Sequence, residues 1–395
     1  MDQNNYETVC GITLNRLFGY DPSVARRLIE RFGSPGAVFS QSRKTLDEVF
    51  GPFSKVRDSI NDCELEVSRA EWESLSALGC RWIGCSDPAY PPLLADCPDA
   101  PVGLYFRSCS TPEEVFGVRE RISIVGTRDI SPYGKEWTER IVGAIAHSPV
   151  RPVIVSGFAI GVDITAHLAA MAWGLPTIAV LPVGIDEIYP RRHYAIAEKL
   201  LRTPGCALVT DFPPATGPQS FTFLRRNRII AGLSRATVLA ESKDKGGGTL
   251  TARLAAGYGR EVFCLPGRID DIRSAGCNRL LREKIAEPIT DPLLIGVQLG
   301  MGASSGNKAQ DLEEQVRACY SGVGAETLEH IVQIAQHIRS HRGVSAEELC
   351  HDLDIPFGDV SAAVCLLESD GFISVDLLRR CTISHLPGAG PKRSL

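Results

Sequence analysis

The sequence predicts an α/β protein with a mostly parallel central sheet, a small helical domain before it and a second small domain after it. Three observations predict this arrangement. Short β-branched runs alternate with helix-length segments in the middle of the chain, helical patterns precede them, and a Gly- and Ser-rich stretch follows them. The 395 residues suffice for two or three domains, and 44% hydrophobic residues is ordinary for proteins that bury a core.

The N-terminal segment is expected to form short helices. One of them starts at Asp21-Pro22-Ser23 and ends at Gly33. Pro and Gly then break the helical pattern between residues 79 and 110. The predicted domains are a helical domain over 1–75, the α/β core over 76–297, a linker over 298–318 and a C-terminal domain over 319–387.

The core is predicted from six short apolar runs, each followed by a segment of helix length. Such runs are typical of parallel strands that helices cover on both faces. Ligands of open α/β sheets bind beyond the carboxyl ends of the strands, so the turns there form the candidate site. The predicted strands are Ile122–Val125, Val153–Ser156, Thr177–Leu181, Ala207–Thr210, Thr237–Ala240 and Val262–Leu265.

The C-terminal domain is predicted to be a winged helix, because residues 326–384 give three helical segments and a hairpin. Ser345 and Glu348 form a capping box that opens the second helix, and a strand starts within 371–375. No lysine or arginine occurs from residue 343 to 378. An acidic surface near phosphates costs energy, so this domain is expected to contact protein or the core and not duplex DNA.

Three glycine-rich turns follow predicted strands, and an arginine cluster lies between them in sequence. Backbone N–H groups of such turns bind anions, and arginine forks suit phosphate oxygens. Together they describe a channel that suits a run of several phosphates. The candidate DNA-binding residues are Gly126, Thr127, Arg128, Ser156, Gly157, Gly161, Phe223, Arg226, Asn227, Arg228, Lys245, Gly246, Gly247, Gly248 and Thr249.

Several of these residues have a structural alternative. Phe223 is expected either to stack on a base or to be buried in the core. Arg226 and Arg228 either hold phosphates or brace the fold. Asp163 either caps a helix or contacts the ligand, and His167 is expected to be structural because no nucleophile or metal ligand accompanies it.

Composition and motifs exclude several classes of protein. A net charge of −5 excludes a wholly basic nucleic-acid coat but permits a focused basic groove. The polar start and the absence of a long apolar run predict a cytoplasmic chain with no membrane partner. Thirteen scattered cysteines without a Cys-x-x-Cys pair predict core thiols and no metal site. Glu136 follows Gly134-Lys135 where a nucleotide-binding loop needs Ser or Thr, so ATP hydrolysis is not expected.

Ordered motifs over nearly the whole chain resemble the DNA-processing protein A family. The arginine motif at 226–234 is the most distinctive of them. The matching segments are 90–93, 125–128, 156–163 with His167, 184–186 with Tyr189-Pro190, 226–234, Gly247, Thr251-Ala252, 265–267 and 276–280.

The resemblance implies a Rossmann-like core that binds single-stranded DNA and needs no cofactor. It also implies that the protein protects incoming strands during natural transformation, forms a homodimer through the core and loads RecA recombinase. A helical N-terminal domain similar to a sterile-alpha-motif (SAM-like) fold and a C-terminal winged helix accompany this core in many members. No catalytic activity is implied, and the sequence contains no assembled acid, base and nucleophile.

The chain departs from the family pattern at several positions. Ile160 stands where arginine is usual, and Leu224 stands where proline is usual. Gly246 and Gly248 replace serines, which removes hydroxyl donors but leaves backbone N–H groups. The segment 211–213 is Asp-Phe-Pro in place of Ser-Glu-x-Pro. We therefore expect weaker or differently placed contacts with the same ligand.

A nucleotide-binding hydrolase is the alternative function. Residues 246–249 resemble the Gly-Gly-x-Gly-Thr turn of the cytokinin-activating phosphoribohydrolases, which place a catalytic glutamate soon after it. Here residues 250–253 are Leu-Thr-Ala-Arg, and no carboxylate occurs before Glu261. A purely structural scaffold without affinity for oligonucleotides is a third hypothesis.

Overall fold

The computed structural model describes residues 3–117, 120–301, 308–341, 343–375 and 379–383. They divide into two compact units, Met1–Leu299 and Gly300–Leu395. The division falls close to residue 297, where the sequence predicts that the α/β core ends.

Six helices begin the first unit. Ser34, Ser42 and Ser54 each cap one of them by accepting a hydrogen bond from a backbone N–H, and Gly33 ends the second helix with a φ of 95°. Apolar side chains of these helices, such as Ile12, lie in the same core cluster as the sheet, so both belong to one unit. The helices are α1 (Gln3–Phe18), α2 (Pro22–Phe32), α3 (Pro35–Phe39), α4 (Arg43–Phe50), α5 (Lys55–Asp58) and α6 (Asp62–Ala77).

The described residues of the first unit build one nine-stranded sheet. Its strands are β1 (Arg81–Gly84), β2 (Gly103–Arg107), β3 (Arg121–Gly126), β4 (Val153–Ser156), β5 (Thr177–Val180), β6 (Ala207–Thr210), β7 (Ala236–Glu241), β8 (Glu261–Cys264) and β9 (Glu287–Pro288). Their order is β1-β2-β6-β5-β4-β3-β7-β8-β9. In this sheet order, all neighbouring strands from β6 through β5, β4, β3, β7 and β8 to β9 are parallel. Strands β1 and β2 form an antiparallel edge.

The sequence predicts six of these strands, β3 to β8, and the structure confirms each within one residue at either end. Strands β1, β2 and β9 were not predicted. The first two lie in the Pro- and Gly-rich segment, where turn residues obscure short strands. Trp82 of β1 packs edge-to-face on Tyr105 of β2, with 4.9 Å between ring centroids, so tertiary packing stabilises this edge.

Helices connect the strands of the sheet. The turn at Arg191–His193 is a short 3-10 helix. The helices are α7 (Pro92–Ala95), α8 (Pro112–Phe116), α9 (Pro132–Ala146), α10 (Val162–Ala172), α11 (Tyr194–Leu201), α12 (Ser220–Leu233), α13 (Gly247–Gly257), α14 (Ala275–Arg282) and α15 (Leu293–Gln298).

The strand order places a switch point between β3 and β7. From β3 the chain adds β4, β5 and β6 on one side, and β7 then pairs with the other side of β3. The connections after β3 and β7 therefore leave the sheet in different directions, which opens a crevice at their carboxyl ends. Helix α12 is the connection that crosses back from β6 to β7.

The second unit contains four helices and three short strands among its described residues. Its helices are α16 (Lys308–Cys319), α17 (Ala325–Ser340), α18 (Ala346–Leu353) and α19 (Phe357–Ser369), and its strands are β10 (Val344–Ser345), β11 (Ile373–Val375) and β12 (Arg380–Ile383). The strands are antiparallel in the order β10-β12-β11. Ser345 and Glu348 form both hydrogen bonds of the predicted capping box, so that prediction is confirmed.

The predicted linker over 298–318 needs correction. Residues 302–307 lie outside the described residues, but α16 begins at Lys308. Val316 of this helix is buried in the same apolar cluster as Ile331 and Leu349. Helix α16 belongs to the second unit because its apolar stripe packs on the next helices. The Gly- and Ser-rich segment before it is what predicts a linker from the sequence. Residues 384–387, the predicted end of this unit, also lie outside the described residues.

Candidate nucleic-acid interface

A cleft of about 250 Å³ lies at the switch point, where β3 and β7 end. The turn after β3, the start of α13 and one face of α12 enclose it. Nine of the fifteen predicted site residues line it. They are Gly126, Thr127, Arg128, Phe223, Arg226, Asn227, Gly246, Gly247 and Gly248.

Glycines allow the turns around the cleft to approach one another. A Cβ on Gly248 would lie 2.9 Å from the Cα of Gly126, and a Cβ on Gly126 would lie 2.6 Å from the carbonyl oxygen of Glu241. Gly161 has a φ of 86°, and a Cβ there would lie 2.2 Å from the carbonyl oxygen of Thr127. Side chains at these positions would push the turns apart, so these three glycines shape the cleft through packing.

The N-terminus of α13 faces into the cleft. Gly246 precedes the helix, and Gly247 and Gly248 are its first two residues. The first N–H groups of a helix lack intrahelical acceptors, and the helix dipole makes this end positive. Gly247 is exposed, and a Cβ added there would meet no atom within 4 Å. This end of α13 is therefore open to an anion.

Arg128 and Phe223 form the outer wall of the cleft. The guanidinium carbon of the exposed Arg128 lies 4.4 Å from the ring centroid of Phe223. Tyr189 meets the same ring edge-on, with centroids 5.5 Å apart, and Phe223 is half-buried. The ring thus combines the two predicted alternatives: it packs on its neighbours and still borders the cleft.

Arg226 is buried at the base of the cleft. Its Nη1 donates hydrogen bonds to the carbonyl oxygens of Gly157 and Val180. Burial lowers its pKa to about 10, while the Asp163 carboxylate acts in the opposite direction. Burial also raises the pKa of Asp163, and the positive charge of Arg226 opposes that rise. Arg226 therefore braces the strand ends and contributes one positive charge to the floor of the cleft.

Arg228 does not line the cleft, and its contacts in the structure are with other parts of the fold. Its guanidinium pairs with the Asp211 carboxylate and also donates to the carbonyl oxygen of Asp99. Arg225 donates to the same Asp211 oxygen at 3.0 Å. The Arg228 side chain is only 8% exposed and that of Asp211 is fully buried. Arg228 therefore braces the fold, because its guanidinium is already paired with the Asp211 carboxylate.

Five further predicted residues lie outside the lining of the cleft. The buried Ser156 donates from Oγ to the carbonyl oxygen of Ile124 at 2.6 Å. Thr249 Oγ1 lies 3.0 Å from Ser242 Oγ and 3.0 Å from the carbonyl oxygen of Lys243, so its hydroxyl hydrogen-bonds within the turn. These hydroxyls hold turns in place. The remaining three are Gly157, Gly161 and Lys245.

Eight further residues of the described chain line the cleft and are not among the fifteen predicted site residues. Lys243 adds a positive charge, and its side chain is half-exposed at 4.0 Å from Asp129. Its signal in the sequence is its position two residues after the end of β7 and two residues before the predicted Lys245. Asp163 adds a buried carboxylate beside Arg226. The others are Val125, Ala159, Leu224, Ile230, Ser242 and Thr251.

His167 is a structural residue, as predicted. It is fully buried, its Nδ1 lies 2.7 Å from Thr177 Oγ1, and its ring packs edge-to-face on Phe158. Burial lowers its pKa to about 3, with a smaller contribution from the positive charge of Arg226. The imidazole is therefore neutral at physiological pH and stabilises the first turns of α10 through packing.

Other chemistries have little support in the described part of the chain. No group of three or more His, Cys, Asp and Glu side chains there could hold a metal ion. Glu241 lies near the cleft, but its carboxylate accepts hydrogen bonds from the backbone N–H and the hydroxyl of Ser131 at 2.8 and 2.6 Å. None of the helices described is long and apolar enough to cross a membrane.

The fold and cleft define an α/β protein with a crevice at the switch point of its sheet, lined by a helix N-terminus and by cationic side chains. Comparison with known proteins gives the family. The family model described as "DNA recombination-mediator protein A" matches residues 81–298. The chain belongs to this family, which confirms the resemblance in the sequence.

Individual relatives agree with this assignment. Protein Smf of Synechocystis is 31% identical over 70% of this chain and 69% of its own length. Protein Smf of Escherichia coli K12 is 38% identical over 54% of this chain and 55% of its own length. The X-ray structure of DNA processing protein A from Streptococcus pneumoniae is 28% identical, with a TM-score of 0.52, and the match covers 64% of this chain and 90% of that one.

Proposed function

We propose that this chain binds single-stranded DNA in the cleft at the carboxyl ends of β3 and β7. The observation that carries the proposal is the pairing of an open helix N-terminus with exposed cations around one crevice. The N-terminus of α13, Arg128 and Lys243 all face the same space, and Arg226 lies beneath it. This combination attracts phosphates without reading the sequence of bases.

The strand is held mainly through its backbone. One phosphate lies against the N–H groups that begin α13, and neighbouring phosphates pair with Arg128 and Lys243. A base next to them packs along the Arg128–Phe223 wall. Duplex DNA binds less well because its bases are stacked in pairs and do not reach this wall.

The biological role follows from the family. We propose that the protein protects incoming single strands during natural transformation, forms a homodimer through the core and loads RecA recombinase, in the cytoplasm. The name DNA recombination-mediator protein A and the relatives' name DNA processing protein A support a role in handling DNA. Three of the four helices of the second unit, α17 to α19, and its antiparallel strands support a winged helix, for which we propose protein contacts.

The protein acts by binding and not by catalysis. The phosphoribohydrolase alternative requires an acid or base beside the glycine turn. Asp163 is the carboxylate that borders the cleft among the described residues, and it is buried next to Arg226. Release of free base from a nucleoside monophosphate by the purified protein would favour the enzyme over the binding protein.

A competition experiment tests the proposal. Fluorescence anisotropy of a labelled oligothymidylate is measured with unlabelled single strands and duplexes as competitors, over a series of salt concentrations. We expect the single strand to compete better than the duplex and its affinity to fall as salt rises, because counterions are released. Equal competition by both forms, or no binding at low salt, would contradict the proposal.

A further inference from the structure

We propose that the exposed rings of Tyr20 and Phe221 form a base-stacking platform that extends the path of the strand out of the cleft. This inference rests on the proposed single-strand binding. Tyr20 lies in the turn between α1 and α2 and is 77% exposed, and Phe221 in the first turn of α12 is 39% exposed. Their ring centroids are 5.8 Å apart.

The platform is continuous with the cleft. Leu224 lines the cleft, is half-exposed, and follows Phe221 by three positions on α12. Residues three apart on a helix are neighbours on its surface. A strand that leaves the cleft past Leu224 therefore reaches the ring of Phe221 and then that of Tyr20.

An ion pair between the partly buried Arg225 and the buried Asp211 holds the platform in place. The guanidinium carbon of Arg225 lies 5.1 Å from the ring centroid of Tyr20 and 5.2 Å from that of Phe212. Arg225 is itself fixed by Asp211, at 3.0 Å. A Cβ on Gly19 would lie 3.0 Å from Arg225 Nη2, so the turn that carries Tyr20 packs closely on α12. An exposed ring that is already positioned loses little freedom when a base stacks on it.

The size of the patch favours bases over a protein partner. A stable protein interface buries about 800 Å² on each partner, which two rings and one leucine do not supply. One or two unpaired bases match this area, and every base offers a π-face to an aromatic ring. The neighbouring guanidinium also favours the electron-rich face of a base.

Two double variants of the full chain test the platform. Tyr20→Ala with Phe221→Ala removes the rings, whereas Tyr20→Phe with Phe221→Tyr keeps them. Affinity is measured for labelled oligothymidylates of about 4 and about 16 nucleotides, and for the longer strand with abasic sites. Thermal unfolding checks that both variants fold.

We expect the alanine variant to bind the longer strand about fivefold or more weakly, and the short and abasic strands as the wild type does. The exchanged-ring variant keeps wild-type affinity. The slope of affinity against salt stays unchanged, because the rings neutralise no phosphate. Wild-type affinity of the folded alanine variant for the longer strand, or an equal loss on the abasic strand, would overturn the platform alone. Failure of the wild type to bind any strand would overturn the proposed function as well.

Discussion

The guanidinium of Arg128 lies over the ring of Phe223, with 4.4 Å between its central carbon and the ring centroid. This pair joins the turn after β3 to α12 and forms the outer wall of the cleft. In the proposed site, this pair presents a positive charge to phosphate and an aromatic ring to a base.

Arg128→Ala should weaken single-strand binding about tenfold, because a charged hydrogen bond to phosphate is lost. It should also reduce the slope of the logarithm of affinity against the logarithm of salt concentration by about 1. Arg140→Ala is the matched control, since Arg140 stacks on Trp137 at 5.2 Å but lies outside this cleft. Anisotropy titrations over a salt series measure both values. Equal effects of the two substitutions would place the DNA elsewhere.

Gly247→Asp should weaken DNA binding without destabilising the fold. The residue is the first of α13, where a carboxylate stabilises the helix by about 0.3–1 kcal/mol. The same charge repels phosphate at the open helix end. Gly247→Asn has the same shape without the charge and serves as control. A folded Gly247→Asp variant with wild-type affinity would show that no phosphate approaches α13.

Arg228→Ala should act on stability and not directly on DNA. It removes one partner of the buried Asp211 carboxylate, which should cost about 3 kcal/mol in the free energy of unfolding. Arg202→Ala breaks an exposed pair with Glu198 and should cost about 0.5 kcal/mol. Urea denaturation measures both. If Arg228→Ala unfolds like the wild type but binds DNA more weakly, then Arg228 contacts DNA and is not a bracing residue.

Because His167 is buried and neutral, the free energy of unfolding should fall as the solution becomes acidic. The folded-state pKa of this histidine, about 3, lies below the ordinary value of 6.5, so the unfolded chain takes up the proton first. The contribution of the neutral His167 side chain to the free energy of unfolding is fully present above pH 6.5. It is lost at about 1.4 kcal/mol per pH unit as the pH falls towards 3. The free energy of unfolding of His167→Asn should vary less with pH over this window. An unchanged pH profile in that variant would contradict the burial of a neutral imidazole.

Local signals were enough to predict much of the fold and the turns that line the cleft. β-branched runs predict β3 to β8, and glycines after strands predict the turns that line the cleft. The direction of each side chain was not predictable in this way. Arg226 and Arg228 are two residues apart on one helix, yet one lines the cleft and the other turns to Asp211, 17 positions earlier in the chain. That ion pair exists only once β6 and α12 are packed together.

Lysine positions show the same limit. Lys245 lies inside the glycine-rich motif and is a predicted site residue, whereas Lys243 precedes the motif and is not. In the folded chain Lys243 lines the cleft and Lys245 does not, although both lie in the turn that precedes α13. The motif thus predicts which turn lines the cleft, but it does not predict which lysine of that turn does so.

Hydrogen exchange of the full chain with and without a bound oligothymidylate tests the central claim most directly. We predict that a single strand slows amide exchange in the turn at 126–128 and at the start of α13, 246–251. Amide exchange on the face of α9 that is turned away from the cleft should stay unchanged. A strand that binds the protein but leaves the exchange of both segments unaltered would contradict a DNA site at the carboxyl ends of β3 and β7.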